Sequence, residues 1–291
     1  MDIDIGKKIY NLRTAKLMTQ AELAGDHITR NMLCLIEKGA ANPSLSTILY
    51  IAKRLNVSAG YLLADSDEEL FYNKSSKIEN IKKALSNEDY EICRDLCMEC
   101  VSKGSEDDEI SLILAEVNIA IAQKEIFAGR LKSAIDYIGE ALEYCEKTIY
   151  YSNHIKAQAS VYSAYMSKLA PSLDMGLGEC TNNASDDPFY KYMTVFCGSS
   201  ALEKENADDE FKGSIYFKHL VADELMSVGK YDEAFASLSE ILRSDDTIPR
   251  TMLYSIFSDL EKCCKEREDF KGAYEYSTNK IQLFEKMLSD N

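Results

Sequence analysis

Helix-breaking residues are scarce along this 291-residue chain, which contains only four prolines and thirteen glycines. Apolar side chains recur at spacings of three and four residues, whereas the valine, isoleucine and threonine alternation typical of strands is nowhere sustained. Since proline and glycine are the residues that most disfavour helix interiors, both observations favour helices nearly throughout. The sequence therefore predicts an all-α fold.

Charge is distributed unequally along the chain, and this distribution indicates two domains with different partners. Residues 1–65 carry eight basic and six acidic side chains, a net charge of +2. Residues 66–291 carry the other 25 basic and 43 acidic side chains, a net charge of −18. Because a strongly acidic surface repels phosphate, only the first segment is suited to contact nucleic acid.

Cellular location is predicted from apolar runs and cysteines. No apolar run reaches the roughly 18 residues that a membrane span needs, and the chain begins Met-Asp-Ile-Asp, where a signal peptide would be basic. The nine cysteines are interpreted as reduced, mostly buried thiols. We therefore expect a cytoplasmic protein with no membrane partner.

Five short helical patterns occur in the first 65 residues. Thr19 with Glu22 three residues later forms a capping-box pattern, and Thr29, Ser44 and Ser58 are further candidate N-caps. The two short helices predicted after Thr19 and Thr29 are joined by a tight turn. Two such helices in a compact helical unit are typical of a helix-turn-helix.

Four groups of residues then resemble one known family. They are Thr19-Gln20 with Glu22-Leu23-Ala24, Ile36-Glu37-Lys38-Gly39, Asn42-Pro43-Ser44 and Leu55-Asn56-Val57-Ser58. Through these groups, residues 4–64 resemble the phage-repressor or XRE type of helix-turn-helix, and residues 1–65 are predicted to be its DNA-binding domain.

The resemblance implies roles for individual residues. Arg30 and Asn31 match base-reading positions, and their side chains suit guanine and adenine edges respectively. Arg13 and Glu37 match a buried salt bridge with a structural role. Four residues match positions that contact the DNA backbone: Gln20, Thr29, Lys38 and Asn42.

Two features depart from the family pattern. Leu35 occupies a position that is often polar, and the turn at residues 25–27 is one residue shorter than is common. A helix-turn-helix used only for dimerisation or protein binding is therefore an alternative.

After a short acidic linker at residues 66–73, a repeated pattern begins. The clearest copies are Gly129 to Ala134 and Gly229 to Ala234, with degenerate copies at Glu88 to Cys93 and Glu268 to Ala273. They resemble tetratricopeptide repeats, although the adjacent spacings of 41 and 39 residues exceed the usual length of about 34. Residues 74–291 are thus predicted to form a helical repeat domain for effector binding and dimerisation. An unrelated helical bundle is the alternative.

One irregular repeat must lie between residues 134 and 234. Helical patterns near 155–169 and 189–202 supply its helices, with a loop predicted between 171 and 188. Stacked helix pairs form a concave surface suited to extended ligands. The positions that the repeat pattern directs to this groove are Glu116, Ile119, Gln123, Ser163, Met166, Tyr216, His219 and Asp223.

No pattern in the sequence indicates catalysis, a metal site or a cofactor. Cys97 and Cys100 form an isolated C-x-x-C without the second pair or nearby histidine that zinc needs, so buried thiols are expected. Phosphate-binding and dinucleotide-binding glycine loops are absent from the sequence. The chain is therefore predicted not to be an enzyme.

The combination of the two predicted domains resembles the RRNPP group of peptide-sensing regulators, which includes the Rgg-type proteins. This resemblance implies a homodimeric transcription factor that binds double-stranded DNA at a pseudo-palindromic operator. It also implies that a short peptide bound by the repeats changes the placement of the two DNA-binding domains. Two alternatives are a repressor controlled by a protein partner and a tetratricopeptide-type interaction scaffold.

Overall fold

A computed structural model describes residues 5–64, 74–102, 104, 107–170, 186–198 and 208–289. Its described part contains sixteen α-helices and no strand, which confirms the all-α prediction. Contacts divide the chain into two compact units, Met1–Glu106 and Asp107–Asn291. The predicted linker at 66–73 lies outside the described residues, so the boundaries of the predicted domains stay predictions.

The described residues of the first unit contain seven helices of five residues or more. They are α1 (Ile5–Ala15), α2 (Gln20–Ala24), α3 (Arg30–Glu37), α4 (Leu45–Leu55), α5 (Ala59–Leu63), α6 (Ile78–Ser86) and α7 (Tyr90–Ser102). The predicted N-caps are confirmed, because Thr19, Thr29, Ser44 and Ser58 each accept a hydrogen bond from a backbone amide three residues later. These caps set where α2 to α5 begin.

The core of α1 to α5 is made of buried leucine and isoleucine side chains from all five helices. They include Ile9, Leu23, Leu33, Ile36, Ile51, Leu55 and Leu62. Gly6 lets α1 lie directly against the end of α3, since a Cβ atom there would come within 2.1 Å of the Ile36 carbonyl oxygen. This close packing fixes the direction of α3.

Helices α6 and α7 form an antiparallel pair whose interface contains the cysteines singled out above. Cys93, Cys97 and Cys100 are all buried, as expected. Hydrogen bonding with Cys93 and burial raise the pKa of the Cys97 thiol, so it stays protonated. The three side chains thus contribute to the packing between α6 and α7.

The second unit contains nine described helices. They are α8 (Asp108–Ala128), α9 (Leu131–Lys147), α10 (Asn153–Leu169), α11 (Pro188–Phe196), α12 (Asp209–Gly213), α13 (Ile215–Ser227), α14 (Tyr231–Ile241), α15 (Arg250–Glu266) and α16 (Phe270–Ser289). Helices α8–α9, α10–α11, α13–α14 and α15–α16 pack as successive pairs. The first and last pairs also touch, because α8 contacts α15 and α9 contacts α16.

The repeat pattern corresponds to a recurring turn. Gly129 and Gly229 end the first helix of their pairs with a φ angle of 80°, and Glu88 and Glu268 occupy the same place with a φ angle of 60°. The small residue five positions later is buried in every copy: Cys93, Ala134, Ala234 and Ala273. Each degenerate copy therefore keeps the left-handed turn without its glycine.

The pair α10–α11 is the irregular repeat. Helix α10 is close to the predicted range 155–169, whereas α11 ends at Phe196, six residues before the predicted end at 202, because the chain turns at residues 197–198. Most of the predicted loop, residues 171–185, lies outside the described residues. The C-terminal part of the predicted 189–202 helix, residues 199–202, also lies outside them.

Candidate nucleic-acid interface and effector region

The helix-turn-helix is formed by α2 and α3 with the turn at residues 25–29. The Glu22 amide donates to Thr19 Oγ1 at 3.2 Å, and the Thr19 amide donates to Glu22 Oε2 at 2.6 Å. Thr29 Oγ1 accepts from the Met32 amide at 3.1 Å at the start of α3. Both helices therefore begin at a defined residue.

The predicted DNA-contacting residues are exposed around the start of α3 and beyond its end. Arg30 and Asn31 lie in the first turn of α3, and Lys38 and Asn42 follow the helix. Leu35 is also exposed on α3, so an apolar side chain adjoins the polar ones. The turn before α3 borders an open depression of about 420 Å³ that includes Arg30. This surface therefore presents hydrogen-bond donors next to exposed apolar side chains.

Beneath this surface, Arg13 and Glu37 form a bidentate ion pair. Arg13 Nε lies 2.6 Å from Glu37 Oε1, and Arg13 Nη2 lies 3.0 Å from Glu37 Oε2. The hydrogen bond to Glu37 raises the pKa of the Arg13 guanidinium. Arg13 Nη1 also donates to the Met18 carbonyl at 2.8 Å, so the pair joins α1, the loop before α2 and the end of α3.

Gln20 belongs to the same network. Its Nε2 donates to Glu37 Oε2 at 2.7 Å, while the residue itself is half-buried. The resemblance implies that Gln20 contacts the DNA backbone and steadies the contacts of the recognition helix. The structure shows that it also links the start of α2 to the end of α3.

Three residues that the sequence reasoning missed hold the turn between α2 and α3. The His27 and Tyr50 rings stack with centroids 4.4 Å apart. Gly25 has a φ angle of 52°, and a Cβ atom there would lie 2.2 Å from the Tyr50 hydroxyl oxygen. The glycine marks a turn in the sequence, but its partner on α4 is 25 positions away and carries no local signal.

The predicted groove residues differ in exposure. Ile119, Ser163, Met166 and His219 are buried, whereas Asp223 is exposed. Glu116, Gln123 and Tyr216 are half-buried. In this conformation the eight residues thus do not form one open surface, and their role in effector binding stays a prediction.

A buried polar and aromatic cluster lies among α10, α11, α13 and α15. His219 Nδ1 is 2.9 Å from the Tyr192 hydroxyl, and His219 Nε2 is 3.0 Å from Asp259 Oδ2. Both imidazole nitrogens are therefore hydrogen-bonded across three helices. The Tyr192 ring also packs against Phe189, Phe196 and Tyr216.

Hydroxyl groups in this cluster are strongly desolvated. Burial raises the pKa of both Tyr165 and Tyr192, and it raises the pKa of Tyr216 to about 12. The Tyr165 and Thr251 hydroxyls are both buried in this cluster. Burying hydroxyl groups is costly unless they are hydrogen-bonded, so this cluster depends on the polar contacts among its own side chains.

Among the described residues, no group of three or more His, Cys, Asp or Glu side chains could hold a metal ion. Within those same residues, none of the helices is both long and apolar enough to cross a membrane.

Comparison with known proteins finds similarity only among solved structures. No protein-family model matches the chain, and no curated protein does. PlcR of Bacillus thuringiensis, solved in complex with the peptide PapR7 and DNA, is 14% identical, with 98% of this chain and 96% of PlcR covered and a TM-score of 0.24. The apo form of the competence regulator ComR of Streptococcus vestibularis is 17% identical to this chain. The similarity covers 98% of this chain and 97% of ComR, with a TM-score of 0.23.

A third structure is the SHP pheromone receptor Rgg2 of Streptococcus dysgalactiae. It is 12% identical, with 96% of this chain and 99% of Rgg2 covered and a TM-score of 0.20. These TM-scores are too low to support an argument about function. Each of the three likenesses extends along nearly the whole length of this chain.

Proposed function

We propose that the chain is a sequence-specific DNA-binding transcription regulator whose helical repeat unit senses a peptide. The observation that best supports this proposal is the surface of α3. Arg30 and Asn31 are exposed there, in the first turn of a helix capped by Thr29. Arginine and asparagine are the side chains best suited to bidentate contacts with guanine and adenine in the major groove. Lys38 and Asn42 then contact phosphates on either side.

The position of α3 in the first unit supports this role. A recognition helix must be held at a fixed angle, and the Arg13–Glu37–Gln20 network together with the Gly6 contact holds both helices of the motif. Removing one charge from a buried pair leaves the other uncompensated, so the network resists rearrangement. Specific reading of bases follows from exposed side chains on a rigid support.

The acidic second unit is proposed to bind the effector and to act on a homodimer. A peptide shifts the equilibrium between two dimer geometries only if it binds one of them more tightly. The buried cluster around His219 and Tyr192 supports a role in this shift, because its hydrogen bonds join α11, α13 and α15, so a movement of one of these helices affects the other two. The regulator then binds a pseudo-palindromic operator with one α3 helix in each half-site.

Selection of bound DNA from a random pool tests the DNA-binding function. The wild-type chain should enrich a two-fold-symmetric site. The double variant Arg30→Ala and Asn31→Ala should lose that enrichment, since each lost bidentate contact costs about 1–3 kcal/mol of discrimination. Lys132→Ala, an exposed lysine of the second unit, is the matched control and should select the wild-type site.

Failure to enrich any symmetric site with the wild-type chain would overturn the proposal.

Repeating the selection with a peptide extract of conditioned medium tests the effector. A peptide-sensing regulator should change its enrichment with the extract. A site that is enriched equally in both conditions indicates control by a protein partner instead.

A further inference from the structure

Leu35 is an exposed apolar side chain on the outward face of α3. Leu33 and Ile36 are buried against the core, whereas Leu35 is 45% exposed. With 3.6 residues per turn, Leu35 lies about 40° around the helix from Asn31, on the side away from the buried residues. Exposed leucines are ordinary on protein surfaces, but this one lies within the surface that is proposed to face DNA.

The neighbours of Leu35 along this face are polar. Asn31 lies one turn before it and Lys38 about one turn after it, and both side chains are exposed. In the proposed function, Asn31 reads a base and Lys38 contacts a phosphate. A side chain between these two faces the same groove, so Leu35 loses water when DNA is bound.

The major groove presents only one apolar group to such a side chain. Every base pair exposes hydrogen-bond donors or acceptors at its edge, and thymine alone adds a methyl group, at C5. Leucine can neither donate nor accept a hydrogen bond, so polar base edges that it covers lose water without gaining a partner. A thymine methyl group in the same place gains an apolar contact.

We propose that Leu35 is a specificity-determining residue that selects thymine by contact with its C5 methyl group. This inference rests on the proposed function and deepens it, because it names a chemical group that Arg30 and Asn31 do not read. The Cα atoms of Asn31 and Leu35 are about 6 Å apart along the helix axis, which spans about two base steps. The thymine is therefore expected within about two base pairs of the adenine that Asn31 reads.

Replacing thymine by uracil in the selected site tests this contact, because uracil lacks only the methyl group. Fluorescence anisotropy measures the dissociation constant of the wild-type chain for the duplex selected from the random pool. It also measures the constants for duplexes that carry uracil at one position of both half-sites. At the Leu35 position, uracil should raise the constant about fourfold per half-site, since a buried methyl group contributes about as much as a buried CH₂ group.

Leu35→Ala removes the side chain beyond Cβ and should abolish the distinction. Its dissociation constants for the thymine and uracil duplexes should be equal at that position. Met32→Ala is the matched control, because Met32 is also an exposed apolar residue of α3, at 36%. Met32 lies about 100° around the helix from Asn31, so this variant should keep the wild-type distinction. Circular dichroism should show both variants folded.

5-Methylcytosine provides the converse test, since it carries the same methyl group on a different base. The wild-type chain should bind a 5-methylcytosine–guanine pair at the Leu35 position about fourfold more tightly per half-site than the unmethylated pair. Leu35→Ala should bind the two duplexes equally.

A wild-type chain that binds every uracil duplex as tightly as the thymine duplex overturns the inference and leaves the proposed function intact. A Leu35→Ala variant that keeps the wild-type distinction at every position overturns it too, as does a Met32→Ala variant that loses it equally. If uracil weakens binding but 5-methylcytosine gives no gain, DNA shape is the cause and the methyl contact is wrong. Failure of the wild-type chain to select any site overturns the proposed function and this inference together.

Discussion

At the scale of single residues, removing one member of the ion pair between Arg13 and Glu37 is expected to destabilise the first unit. The two side chains are only 10% and 3% exposed. Glu37→Leu leaves the Arg13 guanidinium buried without its counter-charge, which should cost about 3–5 kcal/mol. Hydrogen exchange of α1 and α3 in the folded protein measures this loss.

The double variant Arg13→Met with Glu37→Leu is the control. Replacing both charges with apolar groups should restore most of the lost protection, because no unpaired charge remains. Equal exchange in the single and the double variant would show that packing, rather than charge pairing, is what Glu37 provides.

Glu22 gives the capping box a pH dependence. Hydrogen bonding by the Thr19 backbone amide lowers the pKa of the Glu22 carboxyl group. A carboxylate with a lowered pKa in the folded state stabilises the fold above its unfolded pKa, and this contribution is lost as the pH falls through the folded value. We expect amides at the start of α2 to be better protected in wild type than in Glu22→Gln at pH 7, and equally protected near pH 3. A difference in amide protection that persists near pH 3 would show that the charge of the Glu22 carboxylate is not its cause.

Sequence reasoning at this scale succeeded for local signals. The four N-caps could be predicted because a cap is a contact across three positions. The hydrogen bond of Gln20 to Glu37 and the stacking of His27 on Tyr50 could not be predicted, since they depend on residues 17 and 23 positions away. Such contacts exist only once the helices are packed.

At the scale of helix pairs, the recurring left-handed turn gives a prediction for two glycines. Gly129 and Gly229 share a φ angle of 80°, where an L-residue costs about 1–2 kcal/mol. At Gly229 a Cβ atom would meet nothing within 4 Å, whereas at Gly129 it would lie 2.9 Å from Met287 Cγ and 3.0 Å from Arg250 Cβ. Gly129→Ala should therefore lower the melting temperature more than Gly229→Ala. Equal shifts would mean that the contact at Gly129 relaxes without cost.

The two repeat copies that lack the glycine predict the opposite effect, a gain in stability on substitution. Glu88 and Glu268 adopt the left-handed conformation without being glycine. Glu88→Gly and Glu268→Gly should each stabilise the chain, by up to about 1 kcal/mol, because relief of backbone strain exceeds the added entropy of the unfolded chain. Thermal unfolding measures the gain, with Glu91→Gly in the exposed face of α7 as a control that should destabilise.

The helix pairs themselves were predictable because their small-residue positions repeat in the sequence. The exposure of the eight predicted groove residues could not be predicted from the sequence, because it depends on how successive helix pairs stack. His219 was assigned to a groove from the repeat register, and its bonds to Tyr192 and Asp259 come from helices with no regular spacing to it.

At the scale of the whole molecule, the charge asymmetry predicts a modest salt dependence of DNA binding. Few cations are available in residues 1–65, and the −18 charge of the remainder repels DNA. Lys38→Gln should reduce the slope of log affinity against log salt by about 0.9 per protomer, through loss of one phosphate contact. Lys132→Gln should leave the slope unchanged. Fluorescence anisotropy at several salt concentrations measures the slope for both variants. Equal slopes in wild type and Lys38→Gln would exclude a phosphate contact by Lys38.

The contact between the first and last helix pairs of the second unit has a consequence for synthesis of the protein. Helix α8 ends at Ala128, but its partner α15 begins only at Arg250. At a translation rate of about 5–20 residues per second, the partner face of α8 stays uncovered for roughly 6–24 s. Open repeat arrays can fold outward from any repeat. This unit instead completes its core only when its first and last helix pairs, which are far apart in sequence, come into contact. Chaperones that bind nascent apolar helices are thus expected to engage α8 during this interval.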